Sequence, residues 1–219
     1  MVTVRSIIAL TASKNWELFQ IDVHNAFLQG DLCEEVYLEI LEGFKSQENK
    51  GSSKELVSIA KSIRHDKFKV KDLGELKYFL GIEVLRFQQG IFLNQRKYVL
   101  ELILEMGLSG ANPYDVCAYQ RLLGKLLYVT ITRPDISYTV QTLSQFMQEH
   151  KQSHWKAAIR AVKYLKNAPG LGVFMKAEST QHLTCWCDSD WAACPNTRRS
   201  VTGYVVKFGE SLVSWKSKK

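Results

Sequence analysis

No apolar run in this 219-residue chain approaches the roughly 20 residues that a bilayer span requires. The N-terminus also lacks the charged, apolar and small-residue order of a secretory leader. Cysteine is scarce and oddly numbered. The five present (Cys33, Cys117, Cys185, Cys187 and Cys194) cannot all pair, and they lack the paired spacing of a zinc site. They read as reduced, mostly structural thiols. No segment repeats. Acidic residues run short in the last third, where residues 151–219 hold four Asp and Glu against twelve Lys and Arg. These absences predict an intracellular protein, cytoplasmic or nuclear, with no membrane partner. They also predict a basic C-terminal third able to hold a polyanion such as nucleic acid.

What is present describes a globular chain. Apolar residues make up 46% and charged residues 23% of the sequence, which is enough material for one sizeable domain or two small ones. Helical spacing of Val4, Ile7, Ile8 and Leu10 predicts a short helix over 2–13, followed by a strand over 16–23. A turn or short helix over 25–32 and an alternating strand over 34–40 come next. Residues 45–67 are polar, with little to bury, and read as a linker that carries at most a weak helix over 54–63.

Beyond the linker the apolar run 76–85 reads as one strand, turning at Gln88-Gln89-Gly90 into a partner at 91–93. Periodic apolar residues predict helices over 95–106 and 118–130, from 133 to about 146, and over 155–166. The last helix places Lys156, Arg160, Lys163 and Lys166 opposite Ala158, Val162 and Leu165. Four strands are expected after it, at 171–176, 182–187, 202–208 and 212–215.

Chemistry would come from carboxylates in apolar settings. Asp22 lies within Ile21-Asp22-Val23, next to Ala26, Phe27 and Leu28. An ionised carboxylate beside a core strand is costly unless it is paired, hydrogen-bonded or metal-bound. An ordinary strand-end aspartate facing water is the simpler alternative. Asp188 and Asp190 fall in C-D-S-D-W-A (187–192), and on a strand their side chains would share a face. For these two the simpler alternatives are a turn aspartate and a helix N-cap.

Taken in order, I-D-V-H-N-A-F-L (21–28), K-D-L-G-E-L-K-Y-F-L-G-I-E-V (71–84), Y-Q-R-L-L-G-K-L-L-Y (119–128), T-R-P-D-I-S-Y (132–138), C-D-S-D-W-A (187–192), R-R-S-V-T-G-Y (198–204) and V-S-W-K-S-K-K (213–219) resemble the Pol polyprotein of copia-type retrotransposons. The resemblance covers nearly the whole chain outside 45–67. It implies an α+β fold in which an incomplete reverse-transcriptase palm and thumb remnant is followed by a partial ribonuclease H-like β-sheet. The implied parts are a palm-like section over 1–110, a helical thumb or connection over 111–168 and the start of a ribonuclease H-like section over 169–219.

The family's activities are RNA-directed DNA synthesis and hydrolysis of the RNA strand in a hybrid, both run by paired Mg²⁺ ions held by carboxylates. By resemblance, Asp22 is a polymerase metal ligand and Asp188 the first ribonuclease H carboxylate, with Asp190 a further candidate ligand. Ala26 and Phe27 match positions beside the incoming nucleotide, and a template–primer or RNA–DNA hybrid is the implied partner. Lys156, Arg160 and Lys163, with Arg198 and Arg199, are the candidate phosphate contacts.

The departures from the family pattern matter as much. Its Tyr-x-Asp-Asp hairpin would fall between residues 45 and 67, yet that interval holds only the single Asp66. The connection at 111–118 is short, and the later ribonuclease H carboxylates lie beyond Lys219. One carboxylate alone does not hold a catalytic Mg²⁺. The expectation is therefore a polymerase homologue inactive as this chain, the alternative a non-catalytic nucleic-acid-binding module that uses the basic third.

Overall fold

The structure, a computed structural model, describes residues 1–23, 70–108, 112–192 and 198–218. The turn expected at 25–32, the strand at 34–40, the linker at 45–67 and the helix at 54–63 lie outside the described residues. The architecture is α+β, with helices and antiparallel sheets. The chain divides into two compact units, Trp16–Leu76 and a larger one made of Met1–Asn15 with Lys77–Lys219.

In the smaller unit β1 (Phe19–Val23) runs antiparallel to β2 (Val70–Glu75). Ile21 stands opposite Asp72 and Asp22 opposite Lys71, with a register shift between Phe19 and Ile21. Within β2 the Gly74 N–H donates to the Asp72 carboxylate at 2.9 Å. Gly74 needs φ +76 there, which glycine adopts at no steric cost.

The larger unit opens with α1 (Val2–Ser13), the helix expected from its spacing. Its inward face is Arg5, Ile8, Ala9, Thr11 and Ala12, whereas Ile7 and Leu10 stay exposed. Residues 76–85 are not one strand. A two-residue turn at Leu80-Gly81 separates β3 (Tyr78–Phe79) from β4 (Ile82–Phe87). Both turn residues have positive φ, +46 and +72, the combination that matches the twist of a tight hairpin. Next, β4 pairs with β5 (Gly90–Asn94), and β5 pairs with β6 (Gly172–Lys176). The four-stranded order is β3-β4-β5-β6. The strand expected at 171–176 thus joins the sheet of the middle section rather than the terminal strands.

Between β5 and β6 come four helices: α2 (Arg96–Leu108), α3 (Val116–Val129), α4 (Ser137–Ser144, after a 3₁₀ turn at Pro134–Ile136) and α5 (Gln152–Asn167). Asn94 starts α2 by accepting from Arg96 N–H at 2.9 Å. Asp115 caps α3 by accepting from Cys117 N–H, also at 2.9 Å. The expected apolar faces meet in one core, where Val99, Leu102, Leu122, Leu123, Leu126, Val140, Val162 and Leu165 are buried. Each such side chain contributes roughly 1.5–3 kcal/mol on leaving water.

The chain then forms a three-stranded antiparallel sheet, β7 (Leu183–Ser189), β8 (Thr202–Phe208) and β9 (Ser211–Lys218), in that order. Trp215 Nε1 of β9 donates to the Thr130 carbonyl at the end of α3, at 3.1 Å. Among the described residues β7 is bonded on one side only, and all seven of its residues are exposed. Cys185 and Cys187 on β7, and Cys117 on α3, are exposed free thiols. Cys33 and Cys194 lie outside the described residues.

Candidate functional site

Asp22 stands on β1 as an exposed residue, with Lys71 opposite it in register. Strand alternation turns its side chain to the face opposite that of Ile21. Ala26 and Phe27 lie outside the described residues.

Asp188 stands on β7 opposite Gly203 and is likewise exposed. It borders an open cleft of about 350 Å³. Tyr138 of α4, Trp186 of β7, Tyr204 and Val205 of β8, and Trp215 and Lys216 of β9 also line this cleft. Tyr138 is 61% and Trp186 52% exposed, so both rings present flat apolar surface to solvent. Lys207 Nζ lies 5.6 Å from the Trp186 ring centroid, a cation–π distance.

Asp190 just beyond β7 is committed elsewhere. Its Oδ1 accepts from Val201 N–H at 2.7 Å, and its own N–H donates to the Val201 carbonyl at 3.1 Å. These bonds pin the strand end to the start of β8 and tie up one of its two carboxylate oxygens. Among the described residues no three His, Cys, Asp or Glu side chains come together as a metal-holding group. Mg²⁺ requires near-octahedral oxygen ligation and several donors. The described surroundings of Asp22 and of Asp188 do not supply that ligand set.

The cationic candidates are all exposed. Lys156, Arg160 and Lys163 fall at i, i+4 and i+7 on α5, opposite the buried Trp155, Ala158, Ala161, Val162 and Leu165. That helix carries no acidic residue at all, so nothing on it offsets the positive face. Arg198 and Arg199 are exposed in the segment that leads into β8, and Arg198 adopts φ +54.

Two cations escaped the sequence reading because they are buried. Arg133 is 1% exposed; its guanidinium donates to the Asp135 carboxylate, at 2.6 Å for the Nη2 contact, and to the Ala168 carbonyl at 2.9 Å. Burial pushes the Asp135 carboxyl up, but the hydrogen bonds and charge of Arg133 outweigh that and leave it below its usual value. Arg5 is 5% exposed on α1. It sits in helical register with Ile8, Ala9 and Ala12, and a cation on an apolar stripe was the available signal.

Comparison with known proteins supplies the ancestry. The retrovirus-related Pol polyprotein from transposon RE2 of Arabidopsis thaliana is 28% identical over 300 positions, which take in 99% of this chain and 21% of that protein. An uncharacterized mitochondrial protein of Arabidopsis thaliana is 32% identical over 187 positions, covering 77% of this chain and 78% of its own length. This chain belongs to the copia-type retrotransposon Pol family. The Pol polyprotein from transposon TNT 1-94 of Nicotiana tabacum adds 26% identity over 311 positions, 100% of this chain and 23% of that protein. The chain thus spans about a fifth of the length of the Pol polyproteins it matches. An alignment of 300 positions against 219 residues also leaves some 80 positions of the RE2 protein without a counterpart here. No protein-family model matches the chain. No solved structure matches it either.

Proposed function

We propose that this chain is a reverse transcriptase–ribonuclease H segment of a copia-type Pol polyprotein that has no complete catalytic centre of its own. The observation that carries the reading is the state of the candidate carboxylates. Asp22 and Asp188 each stand exposed among described residues that bring no further metal-ligating cluster to them. Asp190, the nearest candidate partner of Asp188, spends an oxygen on the Val201 backbone. A primer-extension assay on an RNA template with Mg²⁺ tests the polymerase half. The wild-type chain and Asp22→Asn should give the same background; extension by the wild type that Asp22→Asn abolishes would overturn the reading.

A second reading has its own support, the unopposed positive face of α5. On this reading the chain holds nucleic acid through Lys156, Arg160 and Lys163, with Arg198 and Arg199, and performs no chemistry. Phosphate contacts release condensed counterions, so binding should weaken with salt along a slope of about −0.7 per contact for a single strand. Fluorescence anisotropy with a labelled oligonucleotide should show that slope becoming shallower by about 2 in the Lys156→Gln, Arg160→Gln, Lys163→Gln triple variant. A flat salt dependence in the wild type would rule this reading out.

A further inference from the structure

A second cleft, of about 260 Å³, lies beside the start of α1. It is lined by Val2 and Arg5 of α1, Thr130 and Ile131 after α3, Ser137 of α4, and Lys216 of β9, among others. Arg5 is the unusual member. Its guanidinium is buried, stacked 3.6 Å from the centroid of the Trp215 ring, and Nη1 donates to the Ile131 carbonyl at 2.7 Å. The Nε atom is buried and makes no hydrogen bond. Among the described residues none lining the cleft is acidic. A buried cation without a carboxylate is costly, and a carbonyl and a ring face offset only part of that cost.

Other features of the cleft favour negative charge as well. Lys216 adds an exposed second cation, and Ser137 brings a hydroxyl that can donate to oxygen.

We propose that this cleft is a phosphate-binding site, with the Arg5 guanidinium as its anchor and Lys216 at its rim. Arginine presents a planar fork of donors that suits phosphate oxygens. Here Trp215 and Ile131 hold that fork in place before any ligand arrives. The cost of burying Arg5 is also visible in its titration, since burial lowers its pKa to about 10 against a smaller opposing effect of Tyr204. A bound phosphate would supply the missing countercharge. The ligand is a phosphate group, either inorganic phosphate or the terminal phosphate of a nucleotide. The anchor Arg5 lines this cleft and not the one that Asp188 borders, whereas Trp215 and Lys216 line both.

Isothermal titration calorimetry of the full chain with inorganic phosphate, at constant ionic strength against chloride, tests it. The expected result is one saturable site that is absent in Arg5→Gln. Because Arg5→Gln also alters the packing over Trp215, Lys216→Gln is measured beside it and should weaken binding about 2- to 5-fold while the fold is retained. A 5′-phosphorylated dinucleotide compared with its 5′-hydroxyl form separates the two sources. Binding of the phosphorylated form that is tighter than both its 5′-hydroxyl form and inorganic phosphate assigns the site to nucleotide ends, and binding no tighter than inorganic phosphate assigns it to the free anion. No saturable heat with either ligand would overturn the proposal, as would affinity unchanged in Lys216→Gln or in folded Arg5→Gln.

Discussion

Arg133 shows how much a single side chain can join. It is buried at 1% exposure, yet it ties the 3₁₀ turn at Pro134–Ile136 to the end of α5 by bonding both Asp135 and the Ala168 carbonyl. Removing the carboxylate would strand a buried cation, which costs on the order of 3 kcal/mol in fully enclosed pairs. The Asp135 side chain is 29% exposed, so Asp135→Asn should cost nearer 2 kcal/mol in a urea denaturation at pH 7. The pH dependence follows from the lowered Asp135 pKa. Its folded-state value lies below its unfolded one, so the stabilisation is present above the usual carboxylate range and is lost as pH falls through the folded value. Between pH 5 and pH 2 the wild type should lose more stability than Asp135→Asn. The sequence announced a helix start at Arg133-Pro134-Asp135, but not this pair. A bond to a carbonyl 35 residues away leaves no local pattern.

At the scale of elements, the helices and the hairpin of β4 with β5 were legible, and the partners of β3 and β6 were not. Periodic leucines placed α3 to within two residues at each end, and the basic and apolar faces of α5 stand as its spacing predicted. The run 76–85 misled because Tyr78, Phe79, Ile82 and Val84 around Leu80-Gly81 favour a strand, while the turn depends on backbone sign rather than side-chain pattern. Tyr128 of α3 fastens that turn by donating to the Leu80 carbonyl. A β-carbon at Gly81 would meet the Tyr128 hydroxyl at 2.9 Å, at φ +72. Gly81→Ala should therefore destabilise by about 1–2 kcal/mol, and thermal unfolding of Gly81→Ala in a Tyr128→Phe background should recover part of the loss. Strand β6 carries a similar lesson. Its residues announced a strand, but its pairing with β5 depends on a chain return through four helices that no local pattern specifies.

For the whole molecule, ancestry was readable because several ordered motifs survive along the chain, and the relatives align over nearly all of it. The candidate carboxylates were readable as residues only. Whether they gather a metal depends on what stands around them in space, and the described surroundings of Asp22 and Asp188 are open strand surface. Among the described residues β7 is an edge strand, with Leu183 68% and Trp186 52% exposed, and such edges invite association.

The central claim is that the Pol-family carboxylates persist here without a working centre. Hydrolysis of a labelled RNA–DNA hybrid in Mg²⁺ tests it most directly, with the wild-type chain run beside Asp188→Asn. The account predicts equal background cleavage by both; Mg²⁺-dependent cleavage by the wild type that disappears in Asp188→Asn would contradict it.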